Sequence, residues 1–191
     1  MKKITIIVLA AIAMFSFAEV ASIWKSDKTH SNLKFAITHL MVSEVEGSFK
    51  NFDIKVTASK DDFSDAVVEL TADIKSIDTE NAQRDEHLLK EDFLDAAKYP
   101  TFTFKSKSFK KVADKKYQVK GDLTLHGVTK EVTLEAIHRG TVENPMLKKQ
   151  VAGFKVTGTI NRKDFGVGPT YASAMLSDEV TFTANTEFVK E

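Results

Sequence analysis

The chain has no cysteine among its 191 residues. That excludes disulfides, thiolate metal sites and thiol nucleophiles, and it leaves no residue for lipoprotein-type lipid attachment. Net charge is also missing: 27 basic residues balance 27 acidic ones and the two signs are interspersed. No basic surplus is left for nucleic acid or an anionic membrane surface. There is no G-x-S-x-G, no P-loop and no dinucleotide fingerprint. The five histidines (His30, His39, His87, His126 and His138) never fall in an H-x-H, H-x₃-H or H-E-x-x-H arrangement, so no metal site is expected. Tryptophan is represented once and tyrosine three times, against 14 phenylalanines. The aromatic surface is therefore large and mostly without polar atoms that need partners.

Long apolar runs are absent too, with one informative exception at the start. Lys2 and Lys3 precede an apolar stretch from Ile4 to Phe17, and Ser16-Phe17-Ala18 places small residues at −3 and −1 of a cleavage site after Ala18. The stretch is short of the roughly 20 residues that a transmembrane helix needs. Residues 1–18 are expected to be a cleaved signal peptide, and residues 19–191 a single exported, periplasmic domain with no integral membrane span. Losing Lys2 and Lys3 leaves 25 basic residues against 27 acidic ones, a formal charge of −2.

What fills the remainder is period-two alternation. Ile23–Ile37 carries Leu33, Phe35 and Ile37 on one face. Gly47 is expected to break the chain before Phe49–Val56, where Phe52, Ile54 and Val56 alternate with Asp53 and Lys55. Ala66–Ile77 follows, then Phe102 and Phe104. Lys115–Leu125 turns at His126-Gly127 into Val128–His138, and Asn144-Pro145 marks the next turn before Val151–Asn161 and Glu179–Val189. In this last strand Val180, Phe182, Ala184 and Phe188 face one way. About eight strands with one apolar and one polar face fit an antiparallel sheet. Their length and sequential order favour a closed barrel over a sandwich, since closure removes exposed edges. An eight-stranded barrel is wide enough to be packed solid or to hold one small ligand, and alternation by itself does not separate the two.

One segment departs from this pattern. Between Ser76 and Phe104 the spacing becomes helical, with Asp78 and Asn81 as candidate N-caps and Glu86 and Lys90 as an i,i+4 pair. Leu89, Phe93, Ala96 and Ala97 form an apolar stripe, and Tyr99-Pro100 stops it. The spacing predicts a helical lid or side wall over Asn81–Phe93, pinned by an Arg84-Asp85 ion pair.

The same segment carries part of a family pattern. The blocks are Asp27-x-x-His30-Ser31 with Phe35 and His39; Glu46-Gly47-Ser48-Phe49; Ser76-Ile77-Asp78-Thr79 with Asn81; Arg84-Asp85-x-His87-Leu88; Asp92-Phe93; and Tyr99-Pro100-Thr101-Phe102. Gly121–Lys130 and Ile160–Gly166 follow in order. Together they make the chain closely resemble the YceI-like, polyisoprenoid-binding family of bacterial periplasmic proteins. That resemblance implies an eight-stranded, lipocalin-like antiparallel β-barrel whose lumen binds a long amphiphile: a polyisoprenoid, an isoprenoid quinone or a fatty-acid derivative. It implies transport, storage or sequestration and not catalysis, with no cofactor beyond the bound lipid. The chain departs from the pattern at Gly168-Pro169-Thr170-Tyr171, close to the expected lumen mouth.

Combining the resemblance with the alternation, the expected lumen residues are Leu33, Phe35, Ile37, Phe49, Phe52, Phe102, Phe104, Leu123, Leu125, Phe154, Phe165, Met175 and Phe182. His39, Arg84, Asp85, His87 and Arg162 are the candidates for contact with a polar ligand end. The competing reading is a hydrolytic or isoprenoid-modifying enzyme built on His30 or His87 with nearby carboxylates, and a homodimer is the preferred assembly.

Overall fold

The computed structural model describes residues 20–191; the signal peptide expected at residues 1–18 lies outside them. Eleven strands form eight staves. β1 (Ser22–Ser26) and β2 (Asn32–His39) lie end to end along one edge of β11 (Leu176–Lys190), with Trp24 opposite Lys190 and Leu33 opposite Ala184. β3 (Ser43–Phe49) and β4 (Phe52–Ala58) make the next stave, pairing with β2 and β1 respectively. β5 (Val67–Asp73) and β6 (Ile77–Asp78) make the third, joined by a 3₁₀ turn at Ile74–Ser76. Single long strands complete the set: β7 (Thr101–Ala113), β8 (Lys116–Leu125), β9 (Val128–Asn144), β10 (Lys149–Asn161) and β11. Every pairing is antiparallel, and the contact of β1 with β11 closes the ring β1-β4-β5-β7-β8-β9-β10-β11. The result is the eight-stave barrel that the alternation favours.

Alternation explains the wall. In β4, Phe52, Ile54, Val56 and Ala58 are buried while Asp53 and Lys55 are exposed, and β8 buries Tyr117, Val119, Gly121, Leu123 and Leu125 in the same way. The β8–β9 turn takes two residues, His126 and Gly127, at φ 50° and 73°, as tight hairpins require.

Three local expectations are corrected. Gly47 does not interrupt the chain; it sits inside β3 opposite Phe35. A Cβ there would collide with the Phe35 ring and come within 2.8 Å of Thr79 Cγ2, so glycine makes room for an aromatic ring pointing inward. Ile23–Ile37 is not one strand, because residues 27–31 loop out against only two positions of β11. The Asp27 carboxylate organises that loop, accepting from Thr29 N (2.8 Å) and Oγ1 (2.7 Å) and pairing with His30 Nδ1 (2.8 Å). Likewise Phe49–Val56 is split at Lys50-Asn51.

The insert is also more compact than its spacing suggests. Its α-helix, α1, covers only Ala82–Leu88 and is capped by Asn81, whose side chain accepts from Arg84 N at 3.0 Å. Asp78 accepts instead from Glu80 N at 2.8 Å, outside the helix, and Lys90 lies beyond the helix end, so Glu86 and Lys90 are not a helical pair. The chain then folds back, with Leu94 N donating to Leu88 O (3.1 Å) and Ala96 N to Leu89 O (3.0 Å). These turns bury Phe93, Leu94 and Ala96 but leave Ala97 exposed, which one continuous helical stripe would not do.

Candidate functional site

The barrel encloses an apolar cavity of about 430 Å³, within the range of about 300–1,000 Å³ usual for small-molecule sites. Of the residues expected to line it, Leu33, Phe35, Ile37, Phe49, Phe102, Phe104, Leu123, Leu125, Phe154, Met175 and Phe182 do so. Phe52 and Phe165 are buried but do not reach the cavity. Phe52 follows the strand break at Lys50-Asn51 and pairs with Ala72 within the wall. Phe165 lies in the 3₁₀ turn Arg162–Phe165 after β10, not on a strand, and its carbonyl is bonded to His126 Nδ1 at 3.1 Å.

One end of the lumen, the mouth, is framed by the end of β2, the start of β11 and the insert. Here Arg84 and Asp85 do not pair with each other. Both hold Thr79: Asp85 Oδ1 accepts from Thr79 N (2.9 Å) and Oγ1 (2.6 Å), while Arg84 donates to Thr79 Oγ1 (2.7 Å) and O (2.6 Å). The clamp fixes α1 to β6 without an ion pair between its own members. Arg84 reaches the cavity and Asp85 does not. His87 borders the cavity, with Nε2 at 3.1 Å from Asp92 Oδ2, and the Tyr171 hydroxyl approaches the same carboxylate at 3.4 Å. His39 borders it as an exposed rim residue.

Arg162 is only 2% exposed. It donates to the carbonyls of Ser177 (2.9 Å), Val167 (2.9 Å), Gly168, Tyr171 (3.0 Å) and Leu176 (3.0 Å), and to Asp178 Oδ1 (3.3 Å). Burial pulls its guanidinium below the usual value, with Asp178 opposing the shift. Every nitrogen of the group is engaged with protein acceptors, so Arg162 shapes the β10–β11 loop that forms the rim. The Gly168-Pro169-Thr170-Tyr171 segment is part of that loop, and Gly168 N donates to Asp92 O (3.0 Å) to join it to the insert.

The opposite end, the floor, is closed by the loop between β4 and β5. Phe63, in left-handed backbone (φ 58°) and 2% exposed, plugs it and packs against Trp24 (5.2 Å) and Phe154 (5.1 Å). Asp65 ties the loop by accepting from Ser59 N (3.0 Å) and Lys60 N (3.2 Å), and the Tyr117 hydroxyl donates to Asp62 O. Alternation misses Phe63 because it is not on a strand; a lone large apolar residue in the polar run Asp61-Asp62-Phe63-Ser64-Asp65 was the available signal.

With the lumen's geometry defined, kinship can be stated. A sequence model described as the YceI-like domain matches residues 24–188. The chain belongs to the YceI-like family. It is 42% identical over 166 residues to UPF0312 protein SA2479 of Staphylococcus aureus (strain N315), spanning 85% of this chain and 94% of that protein. A Campylobacter jejuni YceI protein superposes at a TM-score of 0.73 with 33% identity, covering 81% of this chain and 90% of that one. A polyisoprenoid binding domain from Saccharophagus degradans shares the fold at a TM-score of 0.62 and 15% identity, over 88% and 98% of the two chains. Within this YceI-like barrel His30 stands on the outer wall, where its bond to Asp27 raises its pKa. Asp27, held down to about 2 chiefly by the Thr29 hydroxyl and then by His30, and Glu187 converge on it. That cluster lies outside the lumen, whereas His87 sits at its mouth.

Proposed function

We propose that this YceI-like protein is an exported carrier that binds one long isoprenoid-type lipid in its lumen. The observation that carries the reading is the continuous apolar cavity of about 430 Å³ running through the barrel. Apolar chains gain roughly 0.8 kcal/mol per buried CH₂, so a chain of some 20–40 carbons reaches nanomolar affinity even after large ordering costs. The polyisoprenoid binding named for the Saccharophagus degradans neighbour supports the same ligand class. Export to the periplasm with cleavage after Ala18, transport or storage as the role, and a homodimer as the working assembly belong to this proposal.

Native mass spectrometry of the secreted protein, followed by solvent extraction, tests it. The expected outcome is a mass increment that disappears on extraction and returns on reloading with an isoprenoid lipid. Protein that carries no lipid and accepts none would overturn the carrier reading.

A further inference from the structure

The turn between β2 and β3 stands at the rim of the mouth, and its three residues are Leu40, Met41 and Val42. They are 50%, 76% and 83% exposed. Leu40 N donates to Met175 O at 2.9 Å, which brings the half-exposed Met175 of the β10–β11 loop beside them. Tight turns normally take glycine, asparagine or aspartate, above all where φ is positive. Here Leu40 and Met41 hold φ of 51° and 60°. Bulky apolar residues in left-handed backbone, with their side chains in water, serve neither the turn nor the core. An arrangement that costs the fold stability points to a use outside the fold.

The patch is continuous with the lumen. Met175 borders the cavity, as do Ile37 and Val45, which pair two residues in from the turn's base at His39 and Ser43. An apolar surface thus runs from the exposed tip into the barrel. Its size argues against a protein partner, because a stable interface takes about 20–30 residues a side and four side chains on a convex tip fall far short. A fluid lipid surface needs no complementary pocket, and it admits apolar side chains about 5–10 Å into the boundary between headgroups and acyl chains. No lysine or arginine lies between Lys34 and Lys50, where the charges are Glu44 and Glu46. Lys163, in the facing loop, is paired with Asp178 at 2.9 Å. Attachment here is apolar and not electrostatic.

We propose that Leu40, Met41, Val42 and Met175 form a docking tip that seats the mouth of the barrel on a lipid bilayer surface. A lipid then passes between bilayer and lumen without crossing water; this second step rests on the carrier reading above. The hairpin at the other end supplies a comparison. In the β9–β10 turn, Met146 and Leu147 are 90% and 51% exposed. That turn belongs to the floor end, since Val151 pairs with Val189 near the end of β11. Phe63 plugs the barrel there, so exposed apolar residues at that end lead to no opening.

Vesicle flotation of the secreted protein, stripped of lipid, tests the docking. The protein should float with phosphatidylcholine vesicles, alone or mixed with phosphatidylglycerol, and added salt should not release it. Leu40→Ser/Met41→Ser/Val42→Ser should weaken vesicle binding about tenfold or more, the effect of removing three apolar side chains from the contact. Met146→Ser/Leu147→Ser should leave it unchanged. Fluorescence of Met41→Trp should shift to the blue on vesicles and that of Met146→Trp should not, with buried Trp24 silent in both. The triple variant should still load an isoprenoid lipid from detergent, yet extract it from vesicles about tenfold more slowly. Wild-type protein that does not float, a triple variant that floats equally well, or equal shifts at the two ends would overturn the docking inference; loading from detergent would keep the carrier reading intact. A dimer that the triple variant loses, with no vesicle binding by the wild type, would assign the tip to a second copy and overturn the inference too. Protein that floats through its tip but loads from neither source would sink the carrier reading and leave the docking tip standing.

Discussion

Thr186 occupies a position that its neighbours Val180, Phe182, Ala184 and Phe188 mark as apolar, and among the described residues its buried hydroxyl has no hydrogen-bond partner. If that hydroxyl served the fold, its removal would destabilise the barrel. The opposite is expected, because replacing an unpaired buried hydroxyl by a methyl group removes a desolvation penalty without losing a bond. Thr186→Val should therefore raise the stability of the lipid-free protein by about 1 kcal/mol, seen as a melting point about 2–4 °C higher for a domain of this size. A lower melting point would show that the hydroxyl is a structural partner. Arg162 is the contrasting case: a buried charge that the fold satisfies at every nitrogen, as buried cations require.

Among the elements, the loop between β1 and β2 carries a carboxylate and an imidazole that shift each other's titration. Asp27 is held at about 2, below its ordinary 3.8, by Thr29 and His30. A depressed carboxyl contributes stability that is present above 3.8 and lost as pH falls towards about 2. His30 is raised from 6.5 by its bond to Asp27, so its contribution is complete below 6.5 and lost as pH rises through its folded value. The loop should thus support the fold best between about pH 4 and 6.5. Denaturant midpoints measured across pH should show Asp27→Asn losing most in that window, and only modestly, because the His30 side of the pair is exposed. A penalty that does not vary with pH would disprove the assignment. The insert works differently: its short helix α1 buries no residue of its own, so it is held through the Thr79 clamp and the turns that bury Phe93 and Leu94.

At the scale of the whole molecule, the mouth is closed by parts from distant stretches of chain. The insert is joined to the β10–β11 loop by Gly168 N to Asp92 O at 3.0 Å and by the Phe93 and Tyr171 rings, 4.9 Å apart. The floor is closed by loop 59–66 under an aromatic cluster. Of the two, the mouth is the end that must open for a long ligand, since its lid has few buried anchors. Lipid at a hundredfold excess over its dissociation constant should stabilise the barrel by about 2.7 kcal/mol and slow hydrogen exchange in residues 79–98. Exchange there that is indifferent to bound lipid would rule the insert out as the moving part.

The sequence by itself determined the number of staves, their sequential antiparallel order and most inward faces. Period-two alternation is a local property, and Leu33, Phe35 and Ile37 or Leu123 and Leu125 show it without reference to anything else in the chain. It also located the insert, though the helical spacing of Leu89, Phe93 and Ala96 overstated the helix, because tight turns bury Phe93 and Ala96 just as well. Only the tertiary structure decided where strands break, and hence that Phe52 stays within the wall. It also decided that Arg84 and Asp85 clamp Thr79 and do not pair, and that Arg162 is spent on the rim. Thr186 falls in the same class. Alternation gives the face of a side chain, but whether its polar atom finds a partner depends on what stands across the lumen. That is a fact about residues far apart in sequence, and it follows from closure of the barrel between β1 and β11.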